Sequence, residues 1–385
     1  MMNDEPGPHW NPADAAVLRD QPAAYDEMRR RCPVAHSEQL GWSLFRHEDV
    51  TRVLLDHETF SNQVSKYRSV PNGMDPPEHT AYRRAIEPYF TAGRMRLFEP
   101  VCRSIASRLL EPLVSRAACE CAEEFAVPYA LQCQCEFLGW PASLAASIRD
   151  WTRRSQDATR AGHRATLVAV AAEFRANVDE LLRARRQPGA PPRNDVIDGL
   201  LATRIDGTPL SDEEITSILR NWTMGELGSL ASSIGILAGH LAVDRDLQAR
   251  LRAEPALLPA AIDEILRISG PLILNRRVAK RDVELGGRRI AAGERLSLMW
   301  IGANRDEAVF EAPEEVRLDR DPAANLLYGA GIHVCPGAPL ARLELRVAME
   351  ELLRRTRRIE LGADEMPRKA VFPANGWESL PLRLA

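Results

Sequence analysis

Apolar residues recur at close to 3.6-residue spacing over most of the chain, the pattern of helices that each lay one face on a core. Pro22 to Arg31 reads as a helix with Tyr25 and Met28 on one face, and Asp49 opens another through Leu55. Residues 92–118 and 131–160 carry the same periodicity. Arg164 to Arg186 sets Val168, Val170, Phe174, Val178 and Leu182 along a long amphipathic helix. Ser211, with Glu214 three residues on, forms a capping box that opens the longest predicted helix, Asp212 to Val243. Residues 1–20 read as an irregular lead-in. Ser61 to Pro77 is polar and loop-like, and its last residues begin Asp75-Pro-Pro-Glu-His79, a turn feeding a helix. Short strands are expected at Trp42–Phe45, near Val283–Gly286, within Arg288–Trp300 and at the C-terminus. The stretch from Arg185 to Asn194 is the most linker-like, yet it is short and reads as a surface loop. There is no internal repeat. The expectation is a mainly α chain with minor β (α+β), a single domain over residues 1–385 with no fused reductase.

Composition narrows the class. Of 385 residues, 45% are hydrophobic and 27% charged, which suits a well-buried core under a soluble surface. A net charge of −4 argues against a general nucleic-acid or anionic-membrane binder. The start, Met1-Met-Asn-Asp-Glu-Pro-Gly-Pro, has neither the basic residues nor the apolar run of a signal peptide. No run of about 18 apolar residues predicts membrane insertion. Seven cysteines without a secretion signal read as thiols in a reducing cytoplasm. Cys119-x-Cys121 and Cys133-x-Cys135 form two CxC pairs, but the second lies in a helical pattern, where residues two apart do not face each other as metal ligands must.

The densest chemistry lies in the fifteen residues Tyr328-Gly-Ala-Gly-Ile-His333-Val-Cys335-Pro336-Gly337-Ala-Pro339-Leu-Ala-Arg342. Leu340, Leu343, Val347 and Leu353 follow at helical spacing, so Cys335 sits just ahead of a helix N-terminus, where the dipole and free N–H groups favour a thiolate. Glycines at 329, 331 and 337 let something flat and bulky approach. A thiolate held in such a loop is what a haem iron with a sulfur ligand requires. The stretch resembles the haem-ligand loop of the cytochrome P450 family, aromatic-Gly-x-Gly-x-His-x-Cys-x-Gly followed by a Leu-Ala-Arg helix start. Two positions depart from the common form: Tyr328 stands where Phe is usual, and Pro336 follows the cysteine directly. Proline lacks an N–H, so one potential donor to the sulfur is absent.

The resemblance implies the cytochrome P450 fold, with a long distal helix over a b-type haem and the Cys335 loop below it. His79, Arg83, Arg277 and His333 match the family's propionate partners, with Tyr328 and Gly337 also at the cofactor. Glu264-Ile-Leu-Arg267 and Arg320 match a buried structural network under the haem, and Asn304-Arg-Asp306 falls in family order between them. In the distal helix the family usually shows Ala/Gly-Gly-x-Asp/Glu-Thr, whose acid and threonine deliver protons. Here Met224-Gly225-Glu226-Leu227-Gly228-Ser229 takes its place. Ser229 keeps the hydroxyl, Gly228 stands where the acid belongs, and Glu226 has moved two residues earlier, about 200° around a helix. Either a local bulge re-aims Glu226, or water and substrate share the proton path. The resemblance brackets the substrate pocket by the 61–74 loop, the region around 155–165, Trp222 to Leu227, Leu272 to Asn275 with Ile273 between them, and Phe372 to Trp377. It implies a monooxygenase that inserts one atom of O2 into a small or medium hydrophobic molecule. Electrons would come from a separate ferredoxin and ferredoxin reductase, with NAD(P)H as the ultimate donor. Arg84, Arg94, Arg96, Arg342 and Arg346 form a candidate surface for that partner. A peroxide-driven peroxygenase of the same fold and a haem sensor or carrier without turnover are the competing readings.

Overall fold

The computed structural model describes residues 10–385 except 190, 364 and 373. The first nine residues of the acidic start therefore lie outside the described residues. Among the described residues there are fourteen α-helices, numbered in chain order. They are α1 (Ala15–Arg19), α2 (Gln21–Arg31), α3 (His47–Leu55), α4 (Glu78–Ile86), α5 (Ala92–Arg116), α6 (Val127–Leu138) and α7 (Ala145–Ala161). There follow α8 (Arg164–Arg185), α9 (Val196–Ala202), α10 (Asp212–Val243), α11 (Arg245–Ala253), α12 (Leu258–Ile268), α13 (Trp300–Asn304) and α14 (Ala338–Arg355). The expected mainly helical architecture with small sheets is what forms.

The capping box sets the start of α10. The Ser211 N–H donates to Glu214 Oε2 at 2.8 Å, and the Glu214 N–H returns a bond to Ser211 Oγ at 3.3 Å. Helices α5, α6, α10 and α14 pack into a bundle whose interior holds Cys102, Ala106, Ala130, Cys133, Ile234, Leu237, Val347 and Ala348. Length and composition alone would let α10 cross a membrane, but 61% of its apolar window is buried inside the fold. It is a core helix.

A five-stranded sheet stands beside the bundle in the order 34–37, 41–44, 295–299, 274–279, 60–61. The central strand runs parallel to Gly41–Leu44 and antiparallel to Leu274–Ala279, with Leu296 opposite Arg277. That register fixes where Arg277 points.

Three expectations are corrected. The helical pattern over 131–160 is broken: α6 stops at Gly139, whose φ of +84° no β-carbon residue adopts easily, and Pro141 lies in the gap before α7. The lead-in is not wholly irregular, since α1 occupies Ala15–Arg19. Trp300 begins α13 instead of ending a strand, because the central strand finishes at Met299.

Candidate active site

A cavity of about 550 Å³ lies between the middle of α10 on one side and the Tyr328–Gly337 loop with the start of α14 on the other. The loop takes its shape from its glycines. Gly331 has a φ of +70°, and a β-carbon there would fall 2.5 Å from the Leu54 carbonyl oxygen. The Cys335 N–H donates to the Tyr328 carbonyl at 2.8 Å, turning the Cys335 side chain into the cavity. Burial pushes this thiol's pKa up, while the N–H groups of Gly337 and Ala338 and the guanidinium of Arg83 pull it down. The two N–H groups and Arg83 act in the expected direction, and a metal cation in the cavity would tip the thiol to thiolate. Pro336 has no N–H, so the two donors come from the next two residues.

One rim of the cavity gathers cations. The rings of His79 and His333 lie 4.2 Å apart. Burial first, then the charges of His79, Arg277 and Arg83, push His333 down to about 3. Arg277 is 5% exposed and pushed down to about 10 by burial. Its guanidinium donates to the Arg276 carbonyl at 2.8 Å and forms no ion pair among the described residues. Arg83 holds the Val334 carbonyl at 2.6 Å and Glu87 at 3.3 Å. Arg277 is thus buried without an ion pair, and His79 and His333 are held toward their neutral forms, with Asp75 and Glu87 the carboxylates acting on the cluster. An anion in the cavity would compensate Arg277 and let both imidazoles act as donors. A flat group carrying two carboxylates, with a metal facing Cys335, fits this donor set.

Under the loop, Arg267 is fully buried and donates two bonds to Glu264, at 2.9 and 2.8 Å. Arg320 reaches the same carboxylate at 2.8 Å, and Arg267 also holds the Asn304 carbonyl at 2.6 Å. Phe310 covers Arg267, whose guanidinium carbon sits 4.7 Å from the ring centroid. The structure thus brings Glu264, Arg267 and Arg320 into one closed network, with Asn304 bracing the Leu326 N–H at 2.8 Å.

On the distal side α10 runs as unbroken α-helix through residues 224–229, so no bulge re-aims Glu226. Ser229 donates to the Gly225 carbonyl at 2.6 Å and lines the cavity. A β-carbon at Gly228 would lie 2.8 Å from Gln156 Nε2 on α7, the far end of an exposed side chain that can give way. Glu226 points toward Gln134 of α6 and Glu344 of α14, and burial pushes its pKa up to about 8. Trp222, Leu272 and Asn275 line the cavity, as expected. Leu227 and Ile273 do not. Leu227 lies about 100° round the helix from Glu226 and packs in the helical core. Ile273 joins Trp10, Tyr25 and Phe45 under the sheet. Glu344, which also lines the cavity, was not anticipated. Its signal was present: a carboxylate standing on the apolar stripe of α14, between Leu340 and Val347. Among the cysteines, Cys133 faces Cys102 and Glu344, not Cys135.

The Cytochrome P450 family model matches residues 149–371. The chain belongs to the cytochrome P450 family. Nocardicin C N-oxygenase of Nocardia uniformis is 32% identical over 363 residues, covering 90% of this chain and 87% of that protein. The putative cytochrome P450 YjiB of Bacillus subtilis is 30% identical over 344 residues, covering 86% and 85%. Among solved structures, cytochrome P450 CYP109Q5 from Chondromyces apiculatus superposes with a TM-score of 0.88 at 30% identity, covering 98% of each chain. This P450 is an oxidoreductase, a haem-dependent monooxygenase that uses O2 on a small-molecule substrate.

Proposed function

We propose that this P450 holds haem b through Cys335 as the one protein ligand to iron and oxidises a small or medium hydrophobic molecule. The observation that carries the reading is the pairing of a cavity-facing thiol with a rim that holds the buried Arg277 beside Arg83, His79 and His333. His79, Arg83, Arg277 and His333 would receive the two propionates, with Tyr328 and Gly337 against the macrocycle. When bound, haem supplies the iron that activates O2. The chain supplies orientation and protons. Ser229 Oγ stands at the cavity wall, where it can pass a proton from ordered water, and Glu226 is the nearest carboxyl able to feed that water. Glu264, Arg267 and Arg320 act structurally, holding the floor under the loop.

The cavity wall opposite the loop supports the substrate reading, with Trp222 and Leu272 set among Asn62, Asn221 and Asn275. Relatives point the same way. One is named an N-oxygenase, another, 31% identical, an epoxidase of cyclomarin C, and CYP109E1 of Bacillus megaterium, 28% identical, has been solved with testosterone. We place the protein in the cytoplasm, with electrons from a separate ferredoxin and its reductase. A groove between α5, α12 and α14 carries Arg96, Arg342 and Arg346. Arg342 already pairs with Asp263 at 3.0 Å, and Arg346 with Glu99 at 2.7 Å and Glu350 at 2.8 Å. Steering of an acidic partner then leans on Arg84, Arg94 and Arg96.

The test is a screen of apolar ligands for a spin-state shift of the ferric protein. NADH consumption with ferredoxin and reductase under 18O2 follows. One labelled oxygen in the product per NADH consumed is the expected result. Product formed only with hydrogen peroxide would replace the reading by a peroxygenase, and no turnover in either system by a sensor or carrier.

A further inference from the structure

Where α6, α10 and α14 meet at the cavity wall, acceptors outnumber donors. Glu226 Oε1, both carboxyl oxygens of Glu344 and Gln134 Oε1 have no hydrogen-bond partner. Gln134 is fully buried, and its amide nitrogen is committed to the Trp222 and Thr223 carbonyls at 3.2 and 3.4 Å, which fixes the oxygen end of the amide. The Tyr129 hydroxyl donates to the Glu344 backbone carbonyl at 3.0 Å, so it does not serve the carboxyl. The titratable groups around the pair are Cys102 from α5, Tyr129, Cys133 and Cys135 from α6, and Tyr328 from the cysteine loop, whose hydroxyl has no partner among the described residues. None is a cation, and among the described residues no Arg, Lys or His pairs with either carboxyl. Two carboxylates cannot both stay charged in such a setting. Protons must supply the missing donors.

We propose that Glu344 and Glu226 work as a linked carboxyl pair: Glu344 stays protonated and donates to Glu226, and Glu226 releases its own proton to water in the cavity. The inference rests on the reading of Glu226 as a proton source. In the step, the Glu226 O–H bond breaks and its proton joins the water that leads to Ser229. The Glu344 O–H then hydrogen-bonds the carboxylate left behind, and solvent later returns a proton to Glu226. Nothing is oxidised or reduced. Glu344 is a positioning residue here, since it acts only through Glu226. Burial raises both groups, Glu226 to about 8 and Glu344 well above the ordinary carboxyl value, with the Glu226 charge adding to the latter. A donor that titrates near 8 still holds its proton at neutral pH and gives it up readily.

The same corner admits a rival. Ligand atoms of Cys102, Cys133 and Glu344 lie within 4.8 Å of one another, a set that could close on zinc. A zinc-bound Glu344 is ionised and cannot donate, so the two arrangements exclude each other.

The experiment follows the protonated-carboxyl infrared band of the ferric holoprotein against pH. Variants Glu226→Gln, Glu344→Gln and Glu344→Leu are compared with the parent, and metal content is measured on each. A band component lost in Glu226→Gln and titrating near pH 8 in the parent is expected. Glu344→Leu removes the donor and should raise that midpoint by about one to two pH units, the worth of one hydrogen bond to a charged group. Glu344→Gln still offers an amide donor and should restore the parent midpoint to within a few tenths of a unit. An unmoved midpoint in Glu344→Leu, no titrating band at all, or one zinc per chain lost in the Glu344 variants would each overturn the pair. If the midpoints move as stated while Glu226→Gln turns over fully coupled, the delivery step falls with the reading of Glu226 as donor. If Glu226→Gln uncouples but the midpoint ignores Glu344, the donor stands and the pair falls.

Discussion

The two faces of the cavity are held in opposite ways. Below it, every buried charge of the structural network has a partner: Glu264 accepts from Arg267 and Arg320, and Arg267 also reaches a carbonyl. At its wall, Glu226 and Glu344 face each other with no cation paired to either among the described residues, and burial raises both. The first arrangement fixes geometry, because removing any member strands a charge. The second stores protons, because the only way to satisfy it is to titrate. The rim that holds Arg277 without an ion pair among the described residues lies between them. Rigidity and chemistry are thus assigned to different sides of one cavity.

The contrast can be broken at several points. Replacing Cys335 by Ala should abolish the strongly red-shifted Soret band of the reduced carbon monoxide complex, and a band that survives would remove Cys335 as ligand. Next in size is Glu264→Ala, which leaves the fully buried Arg267 uncompensated and should lower stability by about 3–5 kcal/mol in a denaturant titration of the holoprotein. Arg277→Leu should act differently. It relieves repulsion around His333, so the apoprotein should be no less stable, while haem transfer to apomyoglobin should speed up about ten- to hundredfold as one charge-assisted contact is lost. Equal destabilisation of apo and holo forms would make Arg277 a structural residue.

The smallest effect is a slope. Glu226 has a folded pKa near 8, above its ordinary value, so its contribution to stability is fully present below about 4.3 and is lost as pH rises through about 8. In that window the folded state binds more protons than the unfolded one, and stability should fall by up to about 1.4 kcal/mol per pH unit for this group. Apoprotein melting across pH 5–8 should show a shallower fall in Glu226→Gln than in the parent.

How much of this the sequence disclosed follows from how far apart the cooperating residues lie. The Cys335 loop, the Ser211–Glu214 cap and the Glu264–Arg267 pair are each local, so spacing alone shows them. The long helix α10 was legible to its ends for the same reason. The 131–160 pattern misled because periodicity runs on through Gly139 and Pro141, residues that end a helix whatever the flanking apolar rhythm. Leu227 and Ile273 were placed by neighbourhood, yet a helix turns each successive side chain by about 100° and a strand turns it over. The meeting of Glu226 with Glu344 was hidden altogether. It exists only once α10 and α14 pack, and no local pattern announces it.

Glu214 gives the roof of the cavity a mechanical property. Its carboxylate closes the capping box of α10, and it also accepts from the Tyr82 hydroxyl and pairs with Arg68 at 3.2 Å. Arg68 lies in the loop that Asn221 and Ser217 pin to α10 through Val70, at 2.9 Å each. Any displacement of this loop would therefore tug on the first turn of the longest helix, so the loop and the helix end act as one latch.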